Sequence, residues 1–468
     1  MKRRSALASL AGLGLVAAGC GREKAQEPGQ KLEPPPEQEL LNLIYWDTLA
    51  FDPGPVPPTP ARLLNAMAAS SDERYLPYLL DLIAIPNPLG RRAREILAEK
   101  LPDPGFAGPM AWFEGRGKLP ASVDSQDYLA FKRALFTTLQ PEIAAFLDPG
   151  AKKSISAQEI LWGGVFVDGI PPLESPRQIS PEQAREWINA DDQVIGVAIG
   201  GDARAYPRRI IDWHEMVNDT VGGTPVSLAY CTLCGSAVLY DGRVGDTTYR
   251  FGTSGLLYRS NKLMYDRQTR NLWEQYTGEP VWGSLVGSGT RLRFLPVVHT
   301  SWGEWLEANP TTRVLDIVTG FQRNYGPGVA YAQYWSSPDL MFPAPDRSGP
   351  LAAKDIVYAV RLDGETVGYP ITELVRAGFF QDRLGTTDIL VLATPDGSGA
   401  RAYDRRGIRF ASFDARSGIA SSEDGVSWRV TEDWLVASDG RRLPRVPGHN
   451  SFWFSIVNHT ENGRLFRP

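Results

Sequence analysis

VIGVAIGGDARAYP at 194–207 returns as VYAVRLDGETVGYP at 357–370. The first segment opens on the strand-like run Val194 to Ile199. The same offset carries Val226 to Leu228 onto Ile389 to Val391 and Tyr240-Asp241 onto Tyr403-Asp404. Past a loop deletion, TRLRFLPVVHTSW at 290–302 falls on RRLPRVPGHNSFW at 441–453, with Pro296 over Pro447 and Trp302 over Trp453. Self-similarity of this kind marks a duplicated unit, with copies at about 190–310 and 355–460.

Outward from the repeat, the first copy reads as short strands: Pro225 to Tyr230, Ala237 to Tyr240, Thr247 to Phe251 and Arg291 to Pro296. Helical candidates lie at Ile210 to Asp219 and Ser301 to Asn309. Upstream, residues 61–150 carry apolar residues at helical spacing, and DERYLPYLLDLIAIP followed by RRAREILAEKL resembles a HEAT-type pair or an ordinary bundle. This region is a candidate for binding a protein partner. The predicted class is α+β, a helical N-terminal region followed by a β-rich domain (155–460) built from two internal repeats.

The first 20 residues read as an export signal. Lys2, Arg3 and Arg4 precede a short apolar run that ends in Val16-Ala17-Ala18-Gly19-Cys20. Small residues before a Cys resemble a lipobox, so Cys20 is the expected lipidation site and the membrane the expected partner. The Arg3-Arg4 pair lacks the fuller twin-arginine motif. Residues 21–60 are Pro-rich, as in Pro34-Pro35-Pro36, and read as an extended tether. The expected location is the cell envelope. A net charge of -5 gives no basic surface for nucleic acid.

With Cys20 lipidated, two of the 3 cysteines remain, Cys231 and Cys234, in an oxidising compartment. The second copy has Thr394 and Gly397 in their places, and Ala377 in that of His214. The shared Tyr-Pro, Tyr-Asp, Pro and Trp read as structural; the His and the two Cys are additional. Cys231-Thr232-Leu233-Cys234-Gly235 has the form of a knuckle. Ser236 to Tyr240 reads as a strand, whereas a redox Cys-x-x-Cys usually opens a helix. That favours a metal centre of His214, Cys231, Cys234 and Met264, filled by copper or zinc. Its role would be metal handling or electron transfer. Asp212 is a candidate to orient the imidazole, and Tyr206, Tyr265, His299 and His449 are candidate pocket residues. Glu215 and Asp266 are candidate acid/base groups for a metal-assisted hydrolase. A thiol–disulfide oxidoreductase and a non-catalytic binding module with a structural disulfide stay open. His459 reads as solvated.

ARAYPRRIIDWHEMVNDTVGGTPVSLAYCTLCGSAVLYD, FGTSGLLYRSNKLMYDRQTRNLWEQYTGE and LPVVHTSWGEWL together resemble the bacterial and archaeal domain of unknown function 3179 family. The lead-in GGVFVDGIPPLESPRQIS and the tail LPRVPGHNSFWF fit it as well. The resemblance spans roughly 155–460 and places recurrent elements on His214, Cys231, Cys234, Gly235, Met264, Tyr265 and Asp266. It implies no activity.

Overall fold

The computed structural model describes residues 36–43, 58–83, 88–100, 125–345, 349–362 and 364–467. The lipobox with Cys20 and most of the tether lie outside the described residues. Among those described, no helix is long and apolar enough to cross a membrane.

The N-terminal part is helical, as its spacing predicts: Pro58–Ala69, Leu76–Ile83, Pro88–Lys100 and Gln126–Leu139, then Pro141–Ala145. Ser125 caps the fourth of these by accepting from the Tyr128 N–H, which satisfies one of the otherwise orphaned first-turn donors. Inside the bundle Lys132 Nζ meets Asp81 Oδ1 at 2.7 Å and Tyr128 Oη donates to Asp81 Oδ2 at 2.8 Å. The helices do not stand apart. Leu79, Phe131, Leu135 and Phe146 share one core with Leu256, Leu263, Tyr265 and Trp282 of the following sheet.

That sheet runs Ile160–Trp162, Phe251–Tyr258, Asn261–Asp266, Leu272–Glu274, Pro280–Trp282 in spatial order. A second five-stranded sheet holds Arg293–Leu295, Ser236–Asp241, Thr224–Cys231, Met216–Val221 and Leu173–Glu174 in that order. The segment expected as one helix from Ile210 to Asp219 divides: the helix is Arg208–His214, and Met216–Val221 is a strand. The break falls at Glu215, whose φ of 53° is left-handed and stops the helix.

The two quoted segments form hairpins with matching registers. Val194 faces Pro207 in one, and Val357 faces Pro370 in the other. Each has an antiparallel neighbour on its first strand, Val298–Ser301 or Gly448–Phe452. Each has a parallel neighbour on its second, Arg313–Leu315 or Gly463–Leu465. Each runs into a seven-residue helix, Arg208–His214 or Ile371–Ala377. The C-terminal half then builds an eight-stranded sheet from Phe379–Leu384 onward.

Gly196 shows why the first hairpin tolerates no side chain there. A Cβ built on it would lie 2.3 Å from the ring of buried Trp305. Gly196→Ala is expected to cost about 1–3 kcal/mol through overpacking, read as a lower urea midpoint.

Candidate functional site

Cys231 ends a strand and Cys234 ends a one-turn 3-10 segment, Thr232–Cys234. Gly235 follows with φ 58°, which lets the chain reverse directly into the strand Ser236–Asp241. The turn brings the two free sulfurs to 3.1 Å, and both are buried. Asn261 Nδ2 donates to Cys234 Sγ at 3.1 Å and to Gln275 Oε1 at 2.9 Å. Gln275 Nε2 donates in turn to Ala229 O at 2.8 Å, so a polar brace holds the second cysteine from behind. Burial, then contact with Cys231, pushes the Cys234 thiol well above its usual range.

Cys231 faces a different environment. It lines a cavity of about 100 Å³ with Glu215, Lys262, Tyr331, Leu233, Met341 and others. Lys262 Nζ donates to the Glu215 backbone oxygen at 2.6 Å and lies 3.6 Å from Glu215 Oε2. Glu215 Oε1 also accepts from Thr232 Oγ1 at 3.1 Å and Tyr331 Oη at 3.4 Å. Burial drives the pair toward neutrality, raising the Glu215 carboxyl and lowering the Lys262 ammonium. The charges of Glu215 and then Cys231 oppose that loss at Lys262. The left-handed φ of Arg259 (46°) and Ser260 (62°) is that of a two-residue hairpin turn between paired Tyr258 and Asn261, which places Lys262 one residue into the returning strand.

The other sequence candidates are placed elsewhere. His214 Nδ1 is 2.7 Å from Pro171 O and Nε2 is 2.6 Å from Tyr325 Oη. Burial keeps the ring neutral, so Nδ1–H donates and Nε2 accepts; its metal-binding lone pair is already used. Met264 packs among Met216, Phe251 and Trp273 in a core distinct from that of the cysteines. Among the described residues no three His, Cys, Asp or Glu side chains converge as metal ligands. Asp266 accepts from Thr269 Oγ1, the Asn271 N–H and Trp273 Nε1 and organises a turn. Tyr206 donates to Asp219 at 2.9 Å and Tyr265 to Asp168 at 2.7 Å. His449 is buried and His299 half-buried, each with a buried, unpartnered Nε2, and desolvation lowers them to about 3 and about 4. His459, expected in solvent, is buried against Glu274 Oε1.

Asp212 lies near the pair without touching it. Burial lifts its carboxyl to about 7 against the pull of Arg208, 3.6 Å away. An acid raised in the folded state stabilises below its unfolded value, near 4, and loses that contribution as pH climbs to about 7. Asp212→Asn is therefore expected to flatten the stability profile over that window. At pH 8 it should gain about 2–4 kcal/mol in urea unfolding.

Lys262, Tyr331, Asn261 and Gln275 were not singled out from the sequence.

No curated protein and no solved structure matches the chain. The family model described as "Protein of unknown function (DUF3179)" matches residues 167–463. That match covers the cysteine turn, the Lys262 strand, Tyr331 and the Gly448–Phe452 strand, more than half the chain; the protein belongs to the DUF3179 family.

Proposed function

We propose that Cys231 and Cys234 form a reversible dithiol–disulfide centre, and that the protein is a thiol–disulfide oxidoreductase acting on a small reactant. The observation that carries this reading is the pair of free sulfurs 3.1 Å apart, with only Cys231 on the cavity wall beside Lys262. A tetrahedral zinc ion bound at about 2.3 Å by two thiolates would space them by roughly 3.8 Å. A disulfide spaces them by about 2.05 Å. The observed separation lies between the two values and requires a small adjustment for either. A copper or zinc centre is the weaker reading because His214 and Met264 would both have to leave their present partners to complete it.

The asymmetry assigns roles. Cys231, as thiolate beside the Lys262 ammonium, attacks one sulfur of a small disulfide and releases the other as a thiolate. Cys234 then loses its proton and attacks the Cys231 sulfur. The internal disulfide forms and the second thiol leaves. Two electrons pass from the protein to the reactant, and a thiol reductant resets the pair. The cavity has room for about three waters at roughly 30 Å³ each, so the reactant that enters this state is small.

We also infer that the two hairpin units descend from one duplicated ancestor. Their registers and flanking strands support this, and only the first copy gained the thiols. The lipobox reading supports an anchor at Cys20 in the envelope, where disulfides persist.

The test uses the chain with Cys20→Ala, which leaves two thiols, equilibrated in buffers of methanethiol and dimethyl disulfide and then alkylated. A single two-electron transition between two reactive thiols and none is expected. Thiols that stay reduced across the whole range overturn the reading.

A further inference from the structure

The polar groups on the wall of the Cys231 cavity are tied to one another and to the cysteine turn. Lys262 Nζ donates to the Glu215 backbone oxygen, which also accepts the Tyr230 N–H at 2.9 Å. The Glu215 carboxylate accepts from Thr232 Oγ1 at 3.1 Å. Glu215 and Lys262 are thus fastened to the residues on either side of Cys231. Elsewhere the wall is largely apolar, with Val165, Ile170, Leu256, Leu257, Met341 and Phe342 among its residues. Its two remaining hydroxyls are used within the chain: Thr253 Oγ1 donates to Ile170 O at 2.8 Å and Ser254 Oγ to Leu263 O at 2.5 Å. Met341 is exposed as well, so the wall reaches the surface there.

Glu215 and Lys262 together hold and release a proton. Burial lowers the Lys262 ammonium and raises the Glu215 carboxyl, which brings their affinities for a proton together. An ammonium lowered in this way is a better acid near neutral pH. Among the described residues the one hydrogen bond from Lys262 Nζ goes to Glu215 O, and Glu215 Oε2 at 3.6 Å lies beyond hydrogen-bond reach. The ammonium therefore keeps a hydrogen for a guest in the cavity. Exchange with a disulfide has no need of it, because a thiolate departs without a proton. A departing alkoxide is far more basic and leaves only with one, which is the task of a general acid.

We propose that the reactant that oxidises the pair is a small alkyl hydroperoxide, its O–O end at Cys231 and Lys262 and its alkyl group on the apolar wall. This rests on the dithiol–disulfide reading above and names the substrate of that centre. Exchange with a small disulfide is then the reverse of the step by which a small thiol resets the pair. The cavity, at about 100 Å³, sets the alkyl group at methyl or ethyl size.

The Cys231 thiolate attacks the terminal oxygen of the hydroperoxide. The S–O bond forms and the O–O bond breaks, and the departing alkoxide takes a proton from Lys262 to leave as the alcohol. Cys231 is now a sulfenic acid. The Cys234 sulfur attacks it, the S–S bond forms, and the sulfenic hydroxyl leaves with the Cys234 proton as water. The dithiol loses two electrons, and the hydroperoxide that gains them becomes one alcohol and one water. A small thiol returns the electrons through a mixed disulfide.

The test mixes the reduced Cys20→Ala chain with ethyl hydroperoxide, hydrogen peroxide or dimethyl disulfide and follows loss of the two thiols. Ethyl hydroperoxide is expected to react faster than hydrogen peroxide by about tenfold or more, because its carbons meet the apolar wall. Cys234→Ser should stop at the Cys231 sulfenic acid, which dimedone traps. Lys262→Met/Glu215→Gln removes the acid and strands no charge. It should lower the rate with ethyl hydroperoxide, relative to that with dimethyl disulfide, by about 10²-fold. Should that variant not fold, the order of the two peroxides on the unaltered chain decides. Dimethyl disulfide oxidising the pair while ethyl hydroperoxide is no faster than hydrogen peroxide overturns the hydroperoxide assignment and leaves the dithiol reading standing. So does a rate ratio that the double variant leaves unchanged. A pair that none of the three oxidises overturns both.

Discussion

Cys231→Ser is expected to slow reaction with a small disulfide by about 10³-fold or more, because a serine hydroxyl is not ionised near neutral pH and cannot replace a thiolate. The change removes one sulfur and keeps the backbone pairing with Ser236, and among the described residues the Cys231 side chain makes no hydrogen bond beyond that to Cys234. Cys234→Ser should behave differently. Cys231 still attacks, but no second sulfur resolves the product, so the mixed disulfide accumulates as a mass increase equal to one half of the reactant. A metal centre would lose function equally with either cysteine and trap nothing. Mass spectrometry of both variants after exposure to dimethyl disulfide separates the two cases.

Lys262→Met is the second change with a large expected effect. Lys262 is the cation that faces the buried Glu215 carboxylate, at 3.6 Å. Its removal leaves a charge in the interior with only hydroxyl donors from Thr232 and Tyr331. Breaking a buried pair from one side costs about 3–5 kcal/mol, which urea unfolding would show. Adding Glu215→Gln removes the stranded charge and is expected to recover most of that stability. Reactivity should not recover with it, because the Lys262 side chain that shares the cavity wall with Cys231 is still absent. Recovery of both would make Lys262 a structural residue.

What could be read in the chain followed from local pattern. The hairpins at 194–207 and 357–370 show in the sequence because strand alternation and Tyr-Pro punctuation are local signals, and Tyr206 and Tyr369 mark the same hairpin position in each. The cysteine turn shows because three positions and a glycine define it. Partnerships across long stretches of chain do not show. His214 invited a ligand role from its neighbours in sequence, yet its ring nitrogens are satisfied from Pro171 and Tyr325, 43 and 111 residues away. His459 looked terminal and wet, but Glu274 reaches it across 185 residues. Lys262 was passed over for a related reason. Its environment is assembled by Glu215, the turn at Thr232 and Tyr331, and nothing adjacent in sequence announces a buried cation. The helices were legible as helices, while their shared core with the sheet at Tyr265 and Trp282 depends on packing that periodicity does not encode.

The central claim is that Cys231 and Cys234 exchange electrons with a small reactant. The most direct measurement is thiol counting beside elemental analysis on the Cys20→Ala chain, isolated without chelator and divided between oxidant and reductant. The expected result is zero thiols after oxidation, two after reduction, and no copper or zinc that disappears in Cys231→Ser/Cys234→Ser. Near-stoichiometric metal that the double variant loses, with thiols reactive only after the metal is stripped, would contradict the account and return the pair to a metal centre.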